Sequence, residues 1–123
     1  MAKDIDSQEL ALWCAECADR KKAEEVLVLD MRGLSSVTDH FVLATGGTEP
    51  HVRAIWQEVL EATAREHGVR AAKPEGGRAN TWVVVDFYDV VVHVMLRQVR
   101  TQYDLEGLWN DAPRVPLPER AIT

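Results

Sequence analysis

Apolar residues recur at helical spacing in two long segments of the chain. The first segment follows Ser7, a residue that can cap a helix, and continues to about Lys22 with apolar positions Leu10, Trp13, Cys14, Cys17 and Ala18. The second has Thr48 as its predicted cap and ends at Gly68, with inward positions Val52, Ile55, Trp56, Val59 and Leu60. Each stripe predicts an amphipathic helix that packs on a shared core.

Runs of β-branched and other apolar residues predict the strands. Short runs lie at residues 26–29 and 40–45, and a weaker candidate lies at residues 69–73. The two strongest runs, at residues 82–87 and 90–96, are separated by Tyr88 and Asp89 alone, which predicts a tight hairpin. Residues 98–109 are predicted as a last helix. The order predicts an α/β (α+β) fold with a single mixed β-sheet of about five strands, flanked by helices.

The predicted hairpin separates its side chains into two different faces. A two-residue turn pairs Trp82 with Met95, Val84 with His93 and Asp86 with Val91. One face is then uniformly apolar and belongs to the core, with Val83, Val85, Phe87, Val90, Val92 and Val94. The other face carries Trp82, Val84, Asp86, Val91, His93 and Met95, and on it Asp86 and His93 are expected to lie within reach of each other.

Three interpretations of that mixed face remain open. It could be a half-exposed sheet surface with a satisfied Asp–His contact. It could be a protein-binding patch, since aromatic residues and Met are enriched in such patches. It could also be a metal or general-base site formed by Asp86, Asp89 and His93, although Asp89 sits in the turn and the sequence provides no clear third ligand besides Asp86 and His93.

Length and charge narrow the classes of function. With 123 residues the chain forms one domain, predicted at residues 1–110, and the Pro-rich tail at 111–123 is predicted to be disordered. The net charge of -6 provides no basic surface for phosphates, so little direct nucleic-acid contact is expected, while a basic protein partner is favoured. No apolar run approaches a membrane span and the N-terminus lacks a signal-peptide layout, so a cytoplasmic location without membrane contact is expected.

Two short motifs resemble chemical sites but have simpler interpretations. Cys14 and Cys17 form a C-x-x-C in the middle of a predicted helix, where thiols pack as small hydrophobic groups. Gly46-Gly47-Thr48 precedes a helix and could hold a phosphate, but no Walker lysine follows, so a plain strand-to-helix turn is favoured. No cofactor or metal is predicted.

The chain resembles the ribosomal silencing factor, or Iojap, family over about residues 5–110. The matching segments run in order and at compatible spacing: Leu29-Asp30, Gly33-Leu34-Ser35-Ser36, Thr38-Asp39, Thr45-Gly46, His51-Val52, Ala54-Ile55, Glu75-Gly76, Trp82-Val83-Val84-Val85-Asp86, Asp89-Val90-Val91-Val92-His93-Val94-Met95, Tyr103, Leu105-Glu106 and Leu108-Trp109. Each segment is common alone, whereas the set is specific.

The resemblance implies a non-enzymatic role. Members of the family bind the large ribosomal subunit through its protein fourteen, sterically block joining of the small subunit, and lower translation when nutrients are short. The implied fold is similar to the nucleotidyltransferase superfamily. The carboxylate signature of that superfamily's enzymes is missing here, since Asp86 and Asp89 stand three apart. The alternative is a divergent nucleotidyltransferase-like enzyme that uses these two residues with magnesium.

The mixed hairpin face is the predicted contact surface for a basic ribosomal protein. The apolar anchors are expected to be Trp82, Met95, Tyr103 and Trp109. The charge partners are expected to be Asp39, Asp86 and Glu106, with His93 orienting Asp86. The free chain could also form a homodimer.

Overall fold

A four-stranded mixed sheet forms the centre of the computed structural model, which describes residues 5–104, 107 and 110–118. The elements are α1 (Ser7–Arg20), β1 (Glu24–Asp30), β2 (His40–Gly46), α2 (Glu49–His67), β3 (Trp82–Asp86), β4 (Val90–Leu96) and α3 (Arg97–Tyr103). The strand order is β1-β2-β4-β3, with β2 and β4 parallel and the other neighbours antiparallel. The connection between the two parallel strands includes α2 and the edge strand β3.

The two long helices begin and end at residues that satisfy their free backbone groups. Asp6, not Ser7, caps α1: its carboxylate accepts from the backbone N–H of Glu9, whose own side chain accepts from the backbone N–H of Asp6. The Thr48 hydroxyl caps α2 as predicted, and Gly68 ends this helix with a left-handed φ of 68°.

The helices cover one face of the sheet, here called the helix-covered face. Its strand residues include Val28, Val42, Ala44 and the inward residues of the hairpin, and they pack with the apolar stripes of α1 and α2 in one large buried cluster. Five of the six hairpin residues predicted for the core are completely buried, and Phe87 is nearly so. The predicted register is confirmed, with Trp82 opposite Met95, Val84 opposite His93 and Asp86 opposite Val91.

The predicted third strand at residues 69–73 is wrong, so the described sheet has four strands and not about five. This segment instead follows the outer edge of β3 through a few backbone hydrogen bonds. The N–H of Ala72 donates to Asp86 O, and Glu75 forms an isolated bridge with Val84. Pro74, which has no N–H, and Gly76, at φ 91°, interrupt the regular pairing.

Part of the tail that was predicted to be disordered lies against β1, at residues 112–115, while most residues of the 111–118 segment are exposed. Arg114 bridges Leu29, the N–H of Asp30 donates to Pro113 O, and the N–H of Val115 donates to Val28 O. Proline is compatible with an edge segment of this kind, because such a segment uses only some of its backbone groups. Residues 119–123 lie outside the described residues. Of the predicted last helix, the structure describes α3 and Gly107, but not residues 105, 106, 108 and 109.

Candidate protein-binding face

The second face of the sheet carries a row of aromatic rings. Phe41 of β2 packs edge-on against His93 of β4, with ring centroids 5.0 Å apart. The ring of Trp82 on β3 lies 6.0 Å from His93, and Tyr103 of α3 lies 5.1 Å from Trp82. We call the surface formed by Phe41, Trp82, His93 and Tyr103 the aromatic face. The row crosses three strands, and its rings are half-buried except for the more exposed Tyr103.

A hydrogen bond joins the two central rings of the aromatic face. The indole N–H of Trp82 donates to His93 Nδ1 at 3.0 Å, which leaves the proton of the neutral imidazole on Nε2. Burial lowers the pKa of His93 to about 4, so the ring is neutral near pH 7. The Nε2 atom is buried and has no hydrogen-bond partner within the described part of the chain.

The structure corrects the expected contact between His93 and Asp86. His93 pairs with Trp82, as just described, while Oδ1 of Asp86 accepts from the backbone N–H of Tyr88 at 2.7 Å. The diagonal spacing on paired strands allowed the contact, but the adjacent turn offers the carboxylate a closer donor. His93 therefore does not orient Asp86. It is bonded to the indole of Trp82 instead.

Met95 is also corrected, from a surface anchor to a core residue. It is completely buried in a second apolar cluster with Leu29, Met31, Leu43 and Ala112, and Val99 of α3 packs against this cluster. The hairpin register placed Met95 on the correct face of the sheet. What the hairpin pattern could not reveal is that α3 and the 110–118 segment cover this part of the face.

The remaining predicted contact residues are placed unequally. Tyr103 is 54% exposed at the end of α3 beside Trp82. Asp39 is half-buried at the end of the β1–β2 loop. It lies next to the hairpin turn, since its N–H donates to Asp89 O at 2.8 Å. Glu106 and Trp109 lie outside the described residues.

Sequence reasoning missed Phe41 as a member of the aromatic face. Its signal was present in the alternation along β2, where Val42 and Ala44 belong to the helix-covered face and Phe41 therefore points to the other. The parallel register then places Phe41 beside Val91, one strand away from the predicted patch. The hairpin alone was used to define the face, so a contribution from β2 was overlooked.

Two arginines bind α3 to strands β1 and β2 at one end of the sheet face opposite the helix-covered face. Arg100 is buried and donates to Thr45 Oγ1 at 2.8 Å and to the backbone oxygen of Glu25. Glu25 lies in an irregularity of β1 at φ 51°, which turns this carbonyl toward the helix. Arg97 forms an ion pair with Glu24. The position of Tyr103 at the end of α3 is fixed through these contacts.

At the N-terminus of α2, after Gly46-Gly47, a side chain of the protein already bonds to the backbone. The N–H of Gly47 donates to His51 Nδ1 at 3.1 Å, and His51 Nε2 lies 2.7 Å from Lys21 O. A side chain at Gly46 would meet Val52 Cγ2 at 2.9 Å, so the glycine is needed for close packing. The turn interpretation accounts for this motif. His51 is half-buried and links the turn to the end of α1.

Both cysteines are buried thiols in the helix-covered core. Burial raises the pKa of the Cys14 thiol, with Cys17 adding to the effect, and burial raises the pKa of Cys17 to about 12. Both are therefore protonated and poorly nucleophilic near pH 7. Within the described ranges, no group of three His, Cys, Asp or Glu side chains could hold a metal ion. No helix among these residues is long and apolar enough to cross a membrane.

Comparisons with known proteins agree on one family. The family model described as "Ribosomal silencing factor during starvation" matches residues 4–123. The "Ribosomal silencing factor RsfS" of Bacillus subtilis is 44% identical over 113 residues, which cover 92% of this chain and 95% of that protein. A mouse protein named "Mitochondrial assembly of ribosomal large subunit protein 1" is 29% identical over 93 residues, covering 74% of this chain and 41% of that protein.

A solved structure is similar over nearly the whole chain. The crystal structure of a protein from Chromobacterium violaceum superposes with a TM-score of 0.81 at 34% identity, covering 96% of this chain and 94% of the other. The match of the family model includes the 110–118 segment that packs on β1.

Proposed function

We propose a specific translational role for this chain, which belongs to the ribosomal silencing factor family. It binds the large ribosomal subunit through its protein fourteen, blocks joining of the small subunit by its bulk, and so represses translation when nutrients are limiting. The family consists of ribosome silencing factors, not enzymes, so the magnesium-dependent alternative is set aside. Reference to the large subunit in the name of the mouse relative supports this choice of subunit.

The observation that carries the proposal is the aromatic face. Protein-binding surfaces are enriched in aromatic side chains, and their energetic anchors are most often Trp, Tyr and Arg. Here Trp82 lies between Tyr103 and His93 in a row of rings that crosses the sheet. Because the indole N–H is already bonded to His93, Trp82 is held in one orientation before binding, which lowers the entropic cost of association.

Charge supports a basic partner for this face. The whole chain carries a net charge of -6, and Asp86 and Asp39 contribute carboxylates beside the aromatic row. Complementary charges speed up encounter and disfavour partners of the wrong sign. A basic ribosomal protein fits this surface, while a large direct contact with ribosomal RNA would bring like charges together.

Truncation of the central anchor tests the proposal. Trp82→Ala is expected to weaken co-sedimentation with isolated large subunits about thirtyfold, the typical effect of losing a central aromatic anchor. Trp56→Ala is the matched control, since Trp56 lies on α2 behind the opposite face, where its indole donates to Asn80 Oδ1. Circular dichroism checks the fold of both variants. Equal binding by the two folded variants would place the partner on another surface.

The contribution of charge is tested separately. Asp86→Asn keeps an oxygen that can accept from the N–H of Tyr88 but removes the negative charge. We expect it to slow association with the large subunit, most visibly at low salt, whereas Glu61→Gln on the exposed side of α2 should not. A subunit-joining assay completes the test. A variant that binds normally yet permits joining would contradict the steric mechanism.

A further inference from the structure

The β1–β2 loop and the β3–β4 turn meet at one end of the sheet. The N–H groups of Asp39 and His40 both donate to Asp89 O, at 2.8 and 3.1 Å. These two segments expose three large apolar side chains: Val37 by 84% and Leu34 by 50% in the β1–β2 loop, and Tyr88 by 64% in the turn. We call these three residues the loop tip. Large apolar side chains exposed on neighbouring segments can form an interaction site.

The backbone of Tyr88 provides an independent reason to assign a role to the loop tip. Tyr88 is the first residue of the two-residue hairpin turn and has a φ of 74°. Glycine or asparagine fits this left-handed conformation with less strain than a residue with a bulky side chain. The Tyr88 ring is mostly exposed, so its packing within the domain does little to offset the backbone strain. A large aromatic ring that stays exposed at such a strained turn position points to a role outside the fold.

The surroundings of the loop tip are acidic. Asp86 and Asp89 flank Tyr88 along the chain, and Asp39 is bonded through its backbone to the same turn. The basic residue of the β1–β2 loop, Arg32, is paired with Asp30 at 2.7 Å. Exposed apolar side chains on segments that also carry these aspartates complement a segment that carries lysine or arginine with apolar neighbours.

We propose that the loop tip docks onto a lysine- or arginine-bearing protein segment of the large ribosomal subunit, beside the partner held by the aromatic face. This inference rests on the proposed function and extends its interface around the end of the sheet. Asp86 connects the two surfaces. It lies on β3, the strand that also carries Trp82 of the aromatic face, and its carboxylate accepts from the backbone N–H of Tyr88 in the loop tip. Binding of ribosomal RNA, or of a second copy of this acidic chain, would bring negative charges together, so a basic protein segment is the favoured partner.

A charge placed on the loop tip provides the first test. Val37 is highly exposed, so Val37→Lys should leave the fold intact while setting like charges against a basic partner. We expect about tenfold weaker binding to isolated large subunits. Leu117→Lys is the matched control, since Leu117 is also exposed and the segment carrying it runs along β1 away from the loop tip. This control should bind within about twofold of the unmodified protein.

Removal of the Tyr88 ring provides the second test and separates folding from binding. Tyr88→Gly should raise the urea midpoint of unfolding, because glycine fits the turn, and should weaken subunit binding about fivefold. Lys22→Gly is the control, since Lys22 has a similar φ of 63° but follows α1 at the other end of the sheet. It should raise the midpoint without changing binding.

The outcomes distinguish this inference from the proposed function. If Val37→Lys and Tyr88→Gly bind normally while Trp82→Ala does not, the loop-tip inference is overturned and the proposed function stands. If all three bind normally, both fail. Stronger binding by Val37→Lys would indicate a phosphate surface, and an effect on self-association alone, seen by sedimentation, would indicate a second copy of the chain; either result overturns the inference.

Discussion

The two faces of the sheet are formed by the same strands, but their side chains differ in how they are packed and hydrogen-bonded. On the helix-covered face, neighbouring valines of β3 and β4 are completely buried against α1 and α2, so their contribution is packing. On the aromatic face, α3 covers only one end, and the indole N–H of Trp82 donates to Nδ1 of His93. Alternation along a strand can therefore separate a surface that stabilises the fold from one that remains available for binding.

Neighbouring residues of β4 offer the strongest way to test this difference. Val92 is completely buried on the helix-covered face, whereas Val91 is half-buried on the other. Val92→Asn should lower the free energy of unfolding by about 4 kcal/mol, since it buries an amide without partners. Val91→Asn should cost about 1 kcal/mol, because water can still reach its amide. Urea unfolding measures both, and equal losses would contradict the division into two faces.

Acid should destabilise the protein through the aromatic face. The pKa of His93 is lowered by burial from 6.5 to about 4, so the unfolded chain binds a proton more readily than the folded one between these values. Stability should be retained above pH 6.5 and should fall as the pH decreases toward 4, by up to about 3 kcal/mol from this group. Burial also lowers the pKa of His40, which adds to the effect with the same sign.

His93→Asn isolates the contribution of this residue. Asn can offer an oxygen near the position of Nδ1, so the indole of Trp82 can keep an acceptor, but it does not titrate. The variant should lose less stability than the unmodified protein between pH 6.5 and 4 in urea unfolding. Parallel curves for His93→Asn and the unmodified protein would show that His93 is not the titrating group.

How well a segment is predicted from the sequence depends on whether local or long-range interactions determine its structure. Helices α1 and α2 and the hairpin register are specified by local spacing, caps and a two-residue turn, and their prediction is confirmed to within a few residues. The predicted strand at residues 69–73 is wrong, and the contacts of residues 112–115 with β1 were not predicted, because edge contacts with β3 and β1 determine these segments and leave no periodic pattern. The folding back of α3 and the 110–118 segment, which buries Met95, is also a long-range feature.

The candidate site shows the same limit at the level of single atoms. The hairpin register placed Trp82, Asp86 and His93 on one face, as the structure also has them. Which polar groups then bond depends on side-chain conformation and on competing donors such as the N–H of Tyr88. The strand pattern therefore could not predict that His93 pairs with Trp82 and not with Asp86. Whether these residues contact a ribosomal protein stays a prediction.

The smallest expected effect concerns Asp89, the residue that an enzymatic mechanism would require. Its backbone oxygen accepts from Asp39 and His40, whereas its side chain is exposed in the hairpin turn. Asp89→Asn preserves the backbone and should change the free energy of unfolding by no more than about 0.5 kcal/mol. Its affinity for the large subunit should fall by less than about threefold, because an exposed rim charge contributes little. Asp89→Ala checks whether the amide itself matters. If folded Asp89→Asn bound the subunit normally but no longer blocked joining, a chemical role for this carboxylate would replace the steric mechanism.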